Sequence, residues 1–422
     1  MGEFLNLGFL SESKINRRVF ASVMLLNLGF LSWFFVFSSY ISDIFQILVP
    51  NILGWGNYVG NTLFFGAIIF VSITTSFISD RKNRRKLLFS SIILGIVSTI
   101  FLGFLRGELF ASTLSLLLGT SLGLGLPSSM ALVADCTSFN NRGKLSGIIL
   151  LGTFIIAFIS MMICQVLNPD IENLGLNNLW EFILLLVILR AISILALVIE
   201  KCDNLPTIPR KSSPQEYLYK DFFVYLCTFL LFVIASSLAW KLIPNKFETQ
   251  VELGYTLRWI LIAVFAIPAG YVADRYGRKQ PIIIGLASLG IGFLLLAFAM
   301  SGLFVIIYSA LSGITWGSFF VVFLAIPGDL SLPNSREKFY ALGYIFPLIG
   351  QFIIAAIPVE NITEIMKSNH IALTLGICLF LAIYPLSQAK ETLTDSKMKE
   401  RKLKEHLEII KKLVQEEEEP HN

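Results

Sequence analysis

The sequence predicts an all-α integral membrane protein with twelve transmembrane helices arranged as two pseudosymmetric six-helix bundles. Two observations support this fold class. Of the 422 residues, 55% are hydrophobic and only 15% are charged, whereas soluble domains contain about 25% charged residues. Short motifs also recur along the chain at one constant offset of 194 residues, and such an internal repeat indicates a duplicated unit.

Apolar runs long enough to form membrane-spanning helices occur along most of the chain. A helix of about 20 residues crosses roughly 30 Å of hydrocarbon, and a soluble protein could not bury so many runs of this length. Transmembrane β-strands would be about ten residues long and alternate in polarity, so a β-barrel is excluded. The twelve predicted segments are residues 19–41, 56–79, 87–105, 109–133, 145–167, 179–199, 221–243, 255–273, 281–300, 302–326, 339–358 and 371–388.

The repeat rests on three matches at the same offset, with no insertion among them. Residues 80–85 (DRKNRR) match residues 274–279 (DRYGRK), and residues 135–144 (DCTSFNNRGK) match residues 329–338 (DLSLPNSREK). Two glycine pairs align in the same way: Gly119 with Gly313 and Gly123 with Gly317.

The boundary between the two copies falls where prolines and a basic, serine-containing run interrupt the hydrophobic pattern, as in a linker. Each copy holds six segments, so the two bundles run parallel about an axis along the membrane normal. The shared offset favours one functional unit, with its binding site between the two bundles, over two independent bundles. The predicted domains are a cytoplasmic N-terminus (1–18), two six-helix bundles (19–199 and 221–388), a cytoplasmic central loop (200–220) and a charged cytoplasmic tail helix (389–422).

Basic residues are distributed unevenly between the two sides of the membrane. With the N-terminus inside, the inner segments contain 19 Lys and Arg residues and the outer segments five. The positive-inside rule therefore places both termini in the cytoplasm, and we expect a multi-pass protein of the cell membrane. The lipid bilayer accounts for the basic clusters without a nucleic-acid partner.

The tail has a different composition from the rest of the chain. Leu403, Leu407, Ile410 and Val414 share one helical face within a background of Lys and Glu. This pattern indicates either a solvated amphipathic helix or a surface for a cytosolic partner or self-association.

No catalytic residue, metal site or cofactor is predicted. The five cysteines are scattered without paired spacing, and the three histidines are isolated. The chain also lacks a phosphate-binding Gly-Lys motif, so ATP is not expected to drive it. These observations do not indicate an enzyme.

Residues 270–279 (GYVADRYGRK) resemble the signature loop of the major facilitator superfamily. That signature runs Gly, two or three residues, Asp-Arg, one residue, Gly-Arg and a basic residue. The first copy departs from it twice, because Ser76 replaces the leading Gly and Asn83 the internal Gly. Asn tolerates positive φ, so we expect a tight turn at Asn83. The loss of Gly at 76 predicts a less close helix contact there.

The resemblance implies a secondary transporter whose two loops form a conformational latch on the cytoplasmic side. In such a latch, each Asp pairs with neighbouring arginines and faces the positive N-terminal end of an adjacent helix. We expect Arg142 and Arg336 to reach Asp80 and Asp274 or the carbonyls at the helix ends. The alternative is that the cations only enforce topology, although the repeated Asp and Gly positions favour the latch. The predicted latch residues are Asp80, Arg81, Arg84, Arg85, Asp135, Arg142, Gly270, Asp274, Arg275, Gly277, Arg278, Lys279, Asp329 and Arg336.

The predicted membrane interior contains few ionisable residues, which are costly there and usually mark function. Arg190 lies halfway along the sixth segment, and it is either an anion-binding charge or an arginine that helix carbonyls satisfy or that snorkels outward. Arg258, Lys241 and Lys246 lie on the predicted outer side. Their positive charge would attract an anionic solute, so an anion remains one of the candidate substrates. The substrate-binding candidates are Asn27, Trp33, Asn61, Gln165, Arg190, Trp240, Arg258, Trp316, Tyr344 and Gln351.

The function we expect is the movement of a small metabolite or organic ion across the membrane by alternating access. Two alternatives stay open: a non-transporting receptor or scaffold with the same fold, and a multidrug-type efflux protein. The drug–proton antiporter subfamily has an Arg in its fourth helix and a Gly-Pro motif in its fifth. Here Ser115 stands at the Arg position, and the fifth helix has only Gly152 and no proline before Asn168. No carboxylate at mid-depth supports proton coupling.

Overall fold

The computed structural model describes residues 17–49, 56–79, 81–104, 106–167, 176–199, 215–243, 247–332, 335–356 and 368–392. Within these ranges the chain forms twelve α-helices, one π-helical turn at Gly56–Gly60 and no β-strand. Each helix corresponds to one predicted segment, which confirms the all-helical fold. The helices are α1 (Arg17–Leu48), α2 (Asn61–Ile78), α3 (Arg81–Phe101), α4 (Glu108–Cys136), α5 (Arg142–Leu167), α6 (Leu176–Ile199), α7 (Gln215–Leu242), α8 (Glu248–Arg275), α9 (Lys279–Phe298), α10 (Gly302–Leu330), α11 (Arg336–Ala356) and α12 (Ser368–Gln388).

Ten of the twelve described helices are long and apolar enough to cross a membrane. The other two, α3 and α11, begin with charged runs at residues 81–86 and 336–338, which lower their hydropathy. The number of twelve crossings therefore stays a prediction. Helix α7 begins at Gln215, six residues before the predicted bundle boundary at 221. The predicted tail helix lies outside the described residues from position 393 onward.

The internal repeat is visible in how the helices cross. A Cβ added at Gly119 in α4 would lie 2.5 Å from the carbonyl oxygen of Phe64 in α2. A Cβ added at Gly313 in α10 would lie 2.8 Å from the carbonyl oxygen of Arg258 in α8, and Arg258 follows Phe64 by the same 194 residues. The α2–α4 crossing and the α8–α10 crossing are therefore equivalent. In each, a glycine without a side chain lets the two helices approach closely.

The two signature loops differ in backbone conformation. In the second loop, α8 ends at Arg275 and Gly277 has a φ of 109°, in the region that favours glycine. The tight turn predicted at Asn83 is wrong, because Asn83 lies inside α3, which already begins at Arg81. A helical conformation avoids the cost of placing a non-glycine residue at positive φ.

Candidate functional site

The described parts of the repeated loops converge at one end of the molecule, which we call the basic face and define by residues 83–85, 135–144, 274–279, 329–332 and 335–338. At its centre lies Asp329, which is fully buried at the end of α10. Its Oδ2 lies 2.8 Å from Nε of Arg278, in the C-terminal bundle (α7–α12). Its Oδ1 lies 2.5 Å from Nη1 of Arg142, in the N-terminal bundle (α1–α6). One carboxylate is therefore held by one arginine from each bundle.

Asp135, the repeat counterpart of Asp329, has the same arrangement. Arg84 of its own bundle approaches it with an Nη1–Oδ2 distance of 2.5 Å, and Arg336 of the other bundle pairs with its second oxygen. The predicted partners of Arg142 and Arg336 were Asp80 and Asp274 or helix-end carbonyls. The described ion pairs are instead with Asp329 and Asp135, and Arg142 also donates to the carbonyl oxygen of Ala134 in the last turn of α4, at 3.0 Å. Each arginine begins its helix facing the end of α10 or α4 in the opposite bundle, which determines the partner.

Asp274 joins the bundles in a second way. Its oxygens accept hydrogen bonds from the backbone N–H groups of Gly143 and Lys144, both at 2.8 Å, and it pairs with Nη1 of Arg278 at 2.5 Å. A carboxylate at a helix N-terminus is stabilised by the helix dipole. Helices α5 and α8 can approach this closely because Gly270 has no side chain. A Cβ added at Gly270 would lie 2.4 Å from the carbonyl oxygen of Gly143.

The pKa of Arg278 shows how this cluster holds its charge. Burial by itself would lower the pKa, but the carboxylates of Asp329 and Asp274 raise it above its ordinary value. The guanidinium therefore stays charged throughout the physiological pH range. Its Nη2 also donates to the carbonyl oxygen of Phe139 in the other bundle, at 3.0 Å.

The contact between α2 and α11 is the repeat counterpart of the α5–α8 contact at Gly143 and Gly270, and it is made by side chains. Beside it, Arg84 at the start of α3 pairs with Glu337 of α11, which stands where the first copy has Gly143. Nζ of Lys338 lies 4.7 Å from the ring centre of Phe77, and the hydroxyl of Tyr344 donates to that of Ser72. The less close helix contact predicted from Ser76 agrees with this arrangement.

The remaining predicted latch residues lie around this network. Arg275 donates to the hydroxyl of Tyr271 at 2.5 Å, and Nζ of Lys279 donates to the carbonyl oxygen of Ser387 at 2.9 Å. Arg85 is half-buried in α3. Asp80 and the side chain of Arg81 lie outside the described part of the chain.

A cavity of about 440 Å³ lies between the bundles. Many of its lining residues are pairs related by the offset of 194 residues, so the cavity straddles the pseudosymmetry axis. No Asp or Glu occurs among the described residues that line it. The pairs are Phe35–Phe229, Ser39–Val233, Phe65–Trp259, Leu126–Phe320, Met130–Leu324, Leu150–Tyr344 and Phe154–Leu348.

Aromatic rings connect the two bundles across this cavity. Phe35 of α1 lies 6.0 Å from Trp259 and 5.3 Å from Phe320, measured between ring centres. Phe154 of α5 lies 5.7 Å and 5.4 Å from the same two rings. Such pairs contribute about 0.5–1.5 kcal/mol each beyond the burial of their area. They give the cavity a predominantly apolar wall.

Four of the predicted substrate-binding candidates line the cavity: Arg258, Trp316, Tyr344 and Gln351. The indole N–H of Trp316 donates to a serine hydroxyl of α7 at 2.9 Å, and so does the side-chain amide of Gln351. These bonds fix the orientation of both side chains at the cavity wall.

The other candidates lie elsewhere. Asn27 donates to backbone carbonyls of α1 and α4 inside the N-terminal bundle, and Trp33 stacks on a phenylalanine of the same helix. Asn61 donates to a serine of α1, and Gln165 is exposed near the end of α5. Trp240 lies outside the described lining, beside Arg258. The helical pattern places these residues on the correct helices, but it does not show which side faces the axis.

Arg190 is fully buried inside the N-terminal bundle, away from the described cavity lining. Its guanidinium carbon lies 4.1 Å from the ring centre of Phe30 and 5.2 Å from that of Trp33. Nη2 donates to the hydroxyl of Ser121 at 3.2 Å. Complete burial contradicts the predicted snorkelling, and in the described structure rings and hydroxyls, rather than helix carbonyls, surround this cation.

Sequence reasoning missed two acidic residues at the basic face. Glu337 was detectable, since a charge replaces the glycine of the other copy. Glu391 accepts hydrogen bonds from the backbone N–H groups of Arg278 at 2.8 Å and Lys279 at 3.2 Å. No local pattern marked Glu391, because its contacts arise only when the chain after α12 returns to the start of α9.

Comparisons with known proteins agree with this architecture. The profile of the Major Facilitator Superfamily matches residues 221–412. A gentisate transporter of Corynebacterium glutamicum is 23% identical over 258 residues, which span 56% of this chain and 57% of that protein. The matched region is thus little more than half the length of that relative.

Solved structures match over nearly the whole chain. The proton:xylose symporter XylE has a TM-score of 0.69 at 14% identity, covering 89% of this chain and 96% of its own. The human organic anion transporter MFSD10 has a TM-score of 0.64 at 16% identity, covering 88% and 99%. At such identities these structures show the shared fold alone. The profile match over the C-terminal bundle and the transporter relatives agree with this fold, and together they show that the chain is similar to the major facilitator superfamily.

Proposed function

We propose that this protein is a secondary or facilitative transporter that moves a small organic solute across the cell membrane by alternating access. The observation that carries this proposal is the arginine–carboxylate network that joins two pseudosymmetric bundles on one side of a central cavity. In this arrangement, solute binds in the cavity and the basic face is the closed, cytoplasmic gate. Both termini lie in the cytoplasm, as the distribution of basic residues favours.

The network is built to open at moderate cost. Separation of the bundles breaks the ion pairs that cross between them, Arg142–Asp329, Arg336–Asp135 and Arg84–Glu337. The pairs within each bundle, Arg278–Asp329 and Arg84–Asp135, remain intact. Removing the only partner of a buried charge costs about 3–5 kcal/mol, and for each aspartate the second arginine avoids this cost. Two arginines per carboxylate thus support a reversible two-state equilibrium.

The relatives favour transport over the alternative functions. One is named for gentisate, one for xylose and one for organic anions, and all three are transporters of small organic solutes. A receptor that only keeps the fold would not need the three described ion pairs between the bundles. The drug–proton antiporter features are absent, which argues against multidrug efflux. A cytosolic partner for the tail stays a separate prediction.

The proposal is tested by the movement of the two faces, without knowledge of the substrate. Spin labels at Asn83 and Tyr276, which are exposed in different bundles, report the basic face. Labels at Glu108 and Glu252, also exposed, report the opposite face. The five native cysteines are replaced by serine. Double electron–electron resonance should show two distance populations on each face, which shift in opposite directions in Asp274→Asn.

A single narrow distance distribution on both faces, unchanged in Asp274→Asn, would contradict alternating access. It would favour the receptor or scaffold. Flux in proteoliposomes then distinguishes uptake from a conformational change without transport.

A further inference from the structure

Arg258 breaks the pseudosymmetry of the central cavity. Its repeat counterpart, Phe64, is a fully buried ring that packs on Phe37 and Phe65. Both residues place their backbone carbonyls against the equivalent glycine of α4 or α10. Only Arg258 lines the cavity. The C-terminal bundle therefore presents a cation where the N-terminal bundle buries a hydrophobic ring.

Aromatic rings surround this cation and leave its donors available. The guanidinium carbon lies 5.5 Å from the ring centre of Trp240 and 5.4 Å from that of Trp316. A desolvated cation–π contact stabilises the guanidinium, but an indole ring accepts no conventional hydrogen bond. The guanidinium has five N–H donors, and its buried Nε has no hydrogen-bond partner among the described residues. Since no described carboxylate lines the cavity, the cation has no counter-charge there.

The cavity has a polar end and an apolar end. Arg258 lies 16 residues before Asp274 along α8, about 24 Å from the basic face at 1.5 Å per residue. The hydroxyl of Tyr255, one turn earlier, donates to Ser39 of α1 at 3.4 Å. Nearer the basic face the lining is mostly apolar, with Phe323 and Leu324, and the hydroxyls of Tyr340 and Tyr344 there already donate to protein acceptors. A ligand that fits both ends carries a charge at one end and an apolar body at the other.

The geometry points to a small organic anion, an aromatic or similarly flat apolar carboxylate, as the solute, with Arg258 binding its carboxylate. This inference rests on the proposed transport function and names the class of solute. The planar guanidinium matches a carboxylate in a bidentate pair, while Trp259 and Phe320 pack against the apolar body. A cavity of this size is within the range of small-molecule sites, roughly 300–1,000 Å³.

Two other solute classes fit the lining less well. A sugar needs many hydrogen-bonding groups, and the lining supplies mostly phenylalanine, leucine and tryptophan side chains. A quaternary ammonium is bound by aromatic rings, but here the two indole rings already hold a guanidinium. The positive charge of Arg258 would repel a second cation at the same rings.

Equilibrium binding to the purified full-length protein tests this inference. The probes are benzoate and indole-3-acetate, each beside its neutral amide, with xylose and glycine betaine as the other classes. We expect the carboxylates to bind at least about tenfold more tightly than the amides, since a hydrogen bond to a charged group contributes about 1.5–3 kcal/mol. Arg258→Gln should abolish this preference. Arg258→Lys should retain part of it, because it keeps the charge but loses the planar fork.

Arg190→Gln is the matched control. Arg190 is also buried over two aromatic rings but lies outside the described cavity lining. We expect this variant to lower the melting temperature and leave the carboxylate preference per folded molecule unchanged. If Arg258→Gln fails to fold, the inference is tested by comparing the binding of acid and amide in the native protein and in Arg258→Lys.

Equal binding of acids and amides would overturn the inference, as would a carboxylate preference that survives in Arg258→Gln. Tighter binding of xylose or glycine betaine than of either carboxylate would also overturn it. These outcomes are independent of the spin-label distances. Movement of the faces without a carboxylate preference rejects the solute class alone, and a carboxylate preference without movement rejects transport alone.

Discussion

The α5–α8 contact and the α2–α11 contact are the same contact in two copies of one repeat, yet they are held by different means. In the first, backbone meets backbone at Gly143 and Gly270, and Asp274 accepts hydrogen bonds from the start of α5. In the second, Glu337 replaces the glycine and Ser76 replaces its partner. This contact then consists of side-chain interactions, Lys338 over the Phe77 ring and the Tyr344–Ser72 hydrogen bond, with the Arg84–Glu337 ion pair from the start of α3 beside them.

The difference shows how a duplicated protein divides one task between its halves. Backbone contact requires two glycines and tolerates no added atom, so it restricts the closed state sterically. Side-chain contact accepts small shifts, because a long Arg or Glu side chain can follow a moving partner. We therefore expect the α5–α8 contact to determine whether the basic face closes, and the α2–α11 contact to adjust how often it does.

The largest effect is expected from Gly270→Ala. The new Cβ would lie 2.4 Å from the carbonyl oxygen of Gly143, closer than packed atoms approach, so the basic face should not close fully. The matched control is Ser76→Ala at the repeat-related position, which adds no atom. Spin-label distances across the basic face should lengthen in Gly270→Ala and stay unchanged in Ser76→Ala. Similar distances in both variants would show that the two contacts are equivalent.

Asp274→Asn should have the next largest effect. The substitution removes the charge that binds Arg278 and the start of α5, and hydrogen bonds to charged groups contribute about 1.5–3 kcal/mol each. We expect the equilibrium to shift toward the open basic face by about tenfold to a hundredfold, with little change in folded yield. Asp80→Asn, in the copy that lacks both signature glycines, should shift it less. A larger effect of Asp80→Asn would reverse the proposed division between the contacts.

Glu337→Gln should have a moderate effect. It removes one of the two carboxylates paired with Arg84, and Asp135 remains as the other partner. We expect a shift of the distance populations several-fold smaller than in Asp274→Asn. Flux and accessibility of a cysteine in the cavity measure the change. A shift as large as in Asp274→Asn would mean that the side-chain contact also determines closure.

The smallest effect is expected at the chain segment after α12. Glu391→Gln weakens a carboxylate at the start of α9, where helix-dipole interactions contribute about 0.3–1 kcal/mol. Flux should fall less than about fivefold. Truncation after Thr392, which keeps Glu391 and removes only residues beyond the described chain, should leave flux unchanged. Loss of flux in the truncated protein with normal membrane insertion would assign a gating role to the tail.

Composition and spacing in the sequence predicted the apolar solvent, the helices, the duplication and the loops that carry the proposed latch. These are local or periodic properties, since helix length, hydropathy and a constant offset are read from neighbouring positions. The close crossings at Gly119 and Gly313 agree with the same repeat, because a glycine at the same position of each copy lets the paired helices approach in the same way.

Only the tertiary structure decided which groups meet. Arg142 and Arg336 contact Asp329 and Asp135 because each helix of one bundle begins beside the end of a helix in the other, and no local pattern records that distance. Arg190 and Arg258 are both isolated cations in apolar segments. One is enclosed by its own bundle and the other faces the cavity, because the rotation of each helix is set by packing against its neighbours.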